Sequence, residues 1–167
     1  MYIIYQRYLI NFGNYIILLD RSKFKHKIQI RVRTFEVDAQ GIVNNIYYLK
    51  YIEIGRVEYR RNLGYNILKN GIFNDGLKVV VVHNEIDYRS FAYLDDLLNV
   101  YTKISWIKNS SFCFEHLITE NGTNRIVCTA SGILVNIAKN NKAKNIDKKF
   151  VNEINNFEKK LIKLKVK

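Results

Sequence analysis

Asp38 is the side chain in this sequence best placed to do chemistry. It lies in the segment Arg33-Thr-Phe-Glu-Val-Asp-Ala-Gln-Gly-Ile-Val-Asn-Asn, just ahead of a long apolar run with helical marks. Gly41 lets the backbone turn tightly between the carboxylate and that run. A helix N-terminus presents unpaired N–H groups and positive potential, which hold an oxyanion and keep a neighbouring carboxylate ionised. A base or nucleophile beside an oxyanion hole is what acyl transfer from a thioester requires. A capping or turn role is the alternative reading of Asp38.

Other chemistries find little support. The chain has no Gly-x-Ser-x-Gly elbow, no phosphate-cradling Gly-Lys-Ser/Thr loop and no dinucleotide-binding glycine pattern. His26, His83 and His116 lie far apart without neighbours at metal-ligand spacing, so no metal site is expected. His83 and His116 read as ordinary strand residues and His26 as exposed. Cys113 and Cys128 fall in strand-like runs, where a free thiol acts as a small apolar residue in a reducing compartment.

The elements that must position Asp38 are legible around it. Lys27–Arg33 alternates apolar and polar residues with the period of a strand. Asn44–Asn62 reads as a helix with Asn44 or Asn45 as cap and Gly64 past its end, and its early turns are apolar nearly all round, which predicts burial. Four strand-like runs follow: Leu77–Tyr88, whose valines suit a central strand, Leu97–Lys108, Ser111–Glu120 with the turn signal Asn121-Gly122, and Arg125–Ala138. A strand, a long helix and four strands joined by short turns make an α+β unit in which one antiparallel sheet wraps one helix.

The 167 residues suit one such domain, and the composition excludes disordered, collagen-like and disulfide-scaffold classes. The net charge of +12 sits at the ends: +6 in residues 1–33, −1 in 34–138 and +7 in 139–167. A neutral middle argues against a nucleic-acid groove. Residues 1–26 therefore read as a basic extension, within which residues 1–20 are an ordered extra element, a disordered arm or a start-codon artefact. From Asp147 onward, Phe150, Ile154, Phe157, Leu161 and Leu164 recur at spacings of four and three, predicting a Lys-rich amphipathic helix within 141–167. That helix packs on its own domain or a partner subunit, or it meets an acidic carrier protein or an anionic membrane surface. Polar residues interrupt the apolar stretch at 1–20 before it reaches the length of a membrane span. It also lacks a leader's features, so a cytoplasmic location is expected.

The run Asp38-Ala-Gln-Gly-Ile-Val-Asn-Asn-Ile-Tyr-Tyr-Leu-Lys-Tyr-Ile-Glu-Ile-Gly-Arg-Val-Glu-Tyr resembles the signature of hotdog-fold acyl-CoA thioesterases. It is most similar to the 4-hydroxybenzoyl-CoA thioesterase branch, including the Tol-Pal-associated enzymes. Val79–His83, the segment from Tyr88 to Asp96, Trp106–Ser111 and Ala130–Val135 follow in the family's order, so the resemblance covers residues 27–140.

The resemblance implies a hotdog domain that dimerises edge to edge, possible pairing of two dimers into a tetramer, and active sites at the subunit interface. It implies that Asp38 attacks the thioester carbonyl or activates water, that Gly41 is the loop glycine, and that the backbone N–H of Asn45 polarises the carbonyl. Many members carry His or Tyr where Asn45 stands, which bears on substrate choice. Asn44 and Tyr48 are implied on the substrate side, and Lys108 with Ser110 lies in a turn that would contact coenzyme A phosphates. Glu53, near Arg56 on the helix, is an alternative carboxylate. The substrate would be acyl-CoA or acyl carrier protein, with no cofactor beyond the coenzyme A of the substrate. A hotdog module that binds an acyl ligand or carrier protein without turnover is the second reading. A dehydratase is disfavoured because no His falls in the Asp38 loop or on the helix.

Overall fold

The computed structural model describes residues 7–12, 15–159 and 162–163. A hairpin of β1 (Arg7–Phe12) and β2 (Tyr15–Asp20) forms its own two-stranded sheet. The main sheet contains β3 (His26–Arg31), β4 (Val79–Tyr88), β5 (Leu97–Ile107), β6 (Ser111–Glu120) and β7 (Ile126–Asn136), in the antiparallel order β3-β5-β6-β7-β4. The two-residue strand β8 (Ile162–Lys163) runs parallel to the end of β5. One long helix, α1 (Asn45–Asn62), lies across the sheet, and a shorter one, α2 (Lys148–Glu158), closes one end. This is the α+β arrangement that the hotdog resemblance implies. No helix among the described residues is long and apolar enough to cross a membrane.

α1 forms where Tyr48, Tyr51, Ile52, Gly55, Arg56 and Tyr59 recur at helical spacing and turn one buried face to the sheet. Its first half packs with Ile30, Val32, Leu98, Val100 and Ile118, and its second half with Ile104, Phe112, Phe114 and Leu134. Each large apolar side chain so enclosed contributes roughly 1.5–3 kcal/mol. Between these halves runs a polar row, His26, Thr102 and His116, aligned by register across β3, β5 and β6. Gly55 rides directly over it. A Cβ there would lie 2.7 Å from Thr102 Oγ1 and 3.1 Å from Val100 Cγ1, so this glycine sets the closest approach of helix to sheet.

Four expectations are corrected. The Val-rich run is an edge strand: among the described residues β4 pairs only with β7, and Val80, Val81 and Val82 are 40%, 48% and 58% exposed. α1 is buried on one side only, since Ile46, Leu49 and Ile54 face outward. His26 is buried, because β3 begins at this residue and turns its ring onto Tyr59. The C-terminal helix ends at Glu158, where Lys159 adopts a left-handed conformation (φ 61°); Leu161 and Leu164 lie outside the described residues. The apolar side of α2 is spent on its own domain, with Phe150 and Ile154 enclosed beside Phe112 and Tyr65.

Burial holds both His26 and His116 below the ordinary imidazole pKa; Arg56 and His26 add to the effect at His116, while Glu58 opposes it at His26. The folded chain refuses protons that the unfolded chain accepts, so this stability is complete above the unfolded value near 6.5 and falls as the pH drops below it. Urea midpoints should therefore fall between about pH 7.5 and 5.5. His116→Asn, which keeps a group near the 3.1 Å contact to Thr102 Oγ1, should flatten that slope. An unchanged slope in the variant would contradict this source of the pH dependence.

Candidate active site

The loop that carries Asp38 is held from beneath by Glu36. This side chain is only 4% exposed, and its Oε2 accepts hydrogen bonds from the Tyr51 hydroxyl at 2.7 Å and the Arg33 amide at 2.8 Å. Its backbone carbonyl accepts from the Asn44 amide at 2.9 Å. One residue thus ties the start of the loop, its end and the second turn of α1 together. Burial, then the bond to Glu36, raises the Tyr51 phenol far above its ordinary pKa, so it stays a donor.

Within the loop, Asp38 N–H donates to the Ile42 carbonyl at 2.9 Å and Gly41 N–H to the Asp38 carbonyl at 3.0 Å. Gly41 has φ 79°, a conformation that side-chain-bearing residues rarely adopt. The half-buried Asp38 carboxylate accepts one backbone bond, from Gln40 N–H at 2.8 Å. Further on, Val43 N–H donates to the Ala92 carbonyl, and Ile42 bridges to Tyr93. These contacts fasten the loop to the segment between β4 and β5.

Asn44 is the N-cap, and its Oδ1 accepts from Ile46 N–H at 3.1 Å. The Asn45 N–H has no acceptor among the described residues, which leaves it as an open donor at the positive end of an 18-residue helix. Beside it lies a cavity of about 670 Å³ with Asn45, Val43, Tyr48, Tyr88, Phe91 and Tyr93 in its wall. Tyr48 is buried, its ring 5.2 Å from that of Tyr88, and burial foremost pushes its phenol up to about 12. The Tyr88 hydroxyl donates to the Asn45 carbonyl at 3.2 Å. Arg125 also lines the cavity and donates to Ser90 Oγ and to the Phe91 carbonyl.

The structure therefore brings Gly41, Asn44, Asn45 and Tyr48 to one end of α1, with Asp38 on the adjoining loop but outside the cavity wall of a single chain. Glu53 lies about 12 Å further along the helix axis, exposed, beside a different groove. Lys108 and Ser110 lie at the other end of the sheet, separated from the Asp38 loop by the length of β5, roughly 30 Å. Lys108 Nζ sits 5.3 Å from the Trp106 ring centre, and the Ser110 carbonyl accepts from Asn136 N–H. Glu36, Tyr51, Tyr88 and Arg125 emerge only from the structure. Glu36 had one available signal, a carboxylate two residues before Asp38 in a stretch that must be pinned.

An antiparallel sheet wrapped around one long helix, with an open amide and a carboxylate loop at the helix start, defines a hotdog-type domain. Residues 32–154 match the Thioesterase-like superfamily, and the chain belongs to that family. It is 32% identical over 115 residues to the acyl-CoA thioesterase YbgC of Haemophilus influenzae, spanning 65% of this chain and 84% of that protein. It is 28% identical over 102 residues to the long-chain acyl-CoA thioesterase FadM of Escherichia coli, spanning 61% of this chain and 75% of that protein. Among solved structures, a Thermus thermophilus thioesterase complexed with coenzyme A and Zn superposes with a TM-score of 0.72 at 25% identity, over 84% of this chain and 98% of that one.

Tyr51→Phe removes one of two donors to the buried Glu36 oxygen and should cost about 1–3 kcal/mol. Amide hydrogen exchange across residues 37–44 should accelerate while β6 and β7 keep their protection. Unchanged exchange in the loop would show that Glu36 does not hold it.

Proposed function

We propose that this protein hydrolyses acyl-CoA thioesters at the start of α1, with Asp38 as the catalytic carboxylate and the Asn45 N–H in the oxyanion hole. The observation that carries the reading is the open Asn45 amide at a helix N-terminus beside an aromatic cavity, with a carboxylate on the loop before it. Attack at the thioester carbonyl carbon places negative charge on its oxygen. A donor that is already oriented and a helix dipole stabilise that charge without reorganisation. Asp38 either attacks directly, giving an anhydride that water then cleaves, or takes a proton from the attacking water. In both routes the C–S bond breaks, the thiolate leaves and is protonated, and a carboxylic acid is released. A carboxylate ahead of the helix supports the 4-hydroxybenzoyl-CoA thioesterase branch, and the chemistry calls on no cofactor beyond the coenzyme A of the substrate. Asp38→Asn should lower free-thiol release from a panel of acyl-CoAs by about 100-fold or more with native circular dichroism. Retained turnover would remove Asp38 from the mechanism.

The same reading calls for a homodimer. The exposed β4 edge, with its apolar Val80–Val82 and a backbone that pairs with no further strand among the described residues, is suited to a second copy. Two-fold pairing of identical strands side by side in one sheet is antiparallel. It sets the Val79 end of one β4 against the Tyr88 end of the other. The turn holding Lys108 and Ser110 lies at the Val79 end, because Ser111 pairs with Val135 and Val79 with Asn136. A partner would therefore swing its Lys108 and Ser110 toward the Tyr88–Asn45 cavity, where coenzyme A phosphates have cations to meet. Val81→Lys at the edge should yield monomers in sedimentation and lose thiol release together. A monomeric wild type, or an active monomeric variant, would refute the shared site.

A further inference from the structure

Lysines that are far apart in the sequence meet at the end of the main sheet where β4 begins and β7 ends. Ile137 N–H donates to the Lys78 carbonyl at 2.8 Å, and Lys78 Nζ reaches Asn141 Oδ1 at 3.5 Å, so Lys78 borders the turn that carries Lys139 and Lys142. Ala138 N–H closes that turn on the Lys142 carbonyl, and Lys144 N–H returns the chain to the Asn136 carbonyl. All four lysine side chains are exposed. Residues 76–80 and 136–146 contain no Asp or Glu. The acids nearest in sequence are already engaged: Asp75 is bonded to Arg60, Asp147 caps the Lys149 amide at the start of α2, and Glu153 faces Lys149. The surface therefore carries one sign of charge.

Beside Lys78, the segment after α1 makes a tight apolar hairpin. Leu68 N–H donates to the Ile72 carbonyl at 2.8 Å, Ile67 bridges to Phe73, and Gly71 turns the tip with φ 79°. Phe73 is enclosed in the core, whereas Ile67, Leu68 and Ile72 are 40%, 48% and 37% exposed, with the exposed Lys69 following Leu68. Apolar side chains next to a cationic face suit a surface that is anionic at its boundary and apolar beneath it, which is a lipid bilayer. An acidic protein or a nucleic acid would meet the lysines and give Leu68 no apolar environment. α2 is not the anchor, because Phe150 and Ile154 are enclosed on their own domain.

We propose that this end of the molecule docks on an anionic bilayer, with Lys78, Lys139, Lys142 and Lys144 at the headgroups and Leu68 entering between them. Each lysine brought to an anionic surface adds to the attraction, which fades beyond a Debye length and is therefore weakened by salt. The surface lies at the opposite end of α1 from Asn45, and the docking does not rest on thioester hydrolysis.

The test is sedimentation of the full-length protein with vesicles of equimolar phosphatidylglycerol and phosphatidylcholine, beside vesicles of phosphatidylcholine alone. The wild type should bind the mixed vesicles at least about tenfold more tightly than the neutral ones and be released by about 0.5 M NaCl. Combining Lys139→Gln, Lys142→Gln and Lys144→Gln should remove most of that preference with native circular dichroism. Leu68→Glu, an exposed change that keeps every lysine, should weaken binding by a similar factor. Equal binding to both vesicles would overturn the proposal. So would full binding by the triple variant, which would move the contact to the basic ends of the chain. Wild-type binding by Leu68→Glu, with poly-L-glutamate bound as tightly as the vesicles, would make an acidic protein the occupant instead. A triple variant that keeps its vesicles but loses affinity for free coenzyme A would assign these lysines to the phosphates of the substrate.

Discussion

The Glu36 carboxylate, enclosed under α1 and bonded to Tyr51, is the constraint on which the site depends. A buried charge is tolerated only where hydrogen bonds replace its lost hydration. Here those bonds come from the helix and from the loop at once. Satisfying Glu36 therefore fixes where the 37–44 segment crosses the helix start, and with it the position of Asp38. The strand ladder alone would not do this, because the loop's backbone bonds outside itself go to Ala92 and Tyr93, in the segment before β5, and not to a strand of the main sheet.

The second constraint is the depth at which α1 sits. Gly55 allows the helix to come down onto the row His26, Thr102 and His116, which separates an apolar cluster behind the helix start from one behind its end. The first cluster backs the start of α1 with Tyr48, Tyr51 and Ile52. The second is deepened by α2, whose Glu158 accepts from the Tyr59 hydroxyl at 2.7 Å and the Ile104 amide at 3.1 Å. One helix thus carries the open amide at its first residue, the contact that positions the loop on its second turn, and a closed core at its far end.

Much of this was legible in the residues. The cap at Asn44, the end of α1 at Asn62 and the whole of β6 fall where capping chemistry and period-two alternation put them. Those signals are local, and local physics sets them. Two of the misreadings are non-local, and one is a local turn that periodicity does not carry. The valines of β4 have the pattern of a strand covered on both sides, but sheet order, which no local pattern encodes, left them at an edge. His26 looked exposed because it sits among lysines, and only pairing with Thr102 shows that it faces inward. The apolar spacing of the tail continued past the helix because periodicity does not record the left-handed turn at Lys159. Asp38, Asn45 and Tyr48 were found as a group because they lie within a few residues of one helix start. The Tyr88 and Arg125 walls come from strands distant in sequence.

The most direct test of the thioesterase account is to watch the Asn45 amide when a carbonyl occupies the site. An acyl-CoA analogue with a methylene in place of the thioester sulfur keeps the carbonyl and is not hydrolysed. Nitrogen–proton correlation spectra with and without it report each amide separately. The account predicts that the Asn45 N–H moves strongly downfield and exchanges more slowly, ahead of every other amide in the first turn of α1. Saturating binding of the analogue with the Asn45 resonance unmoved would contradict it.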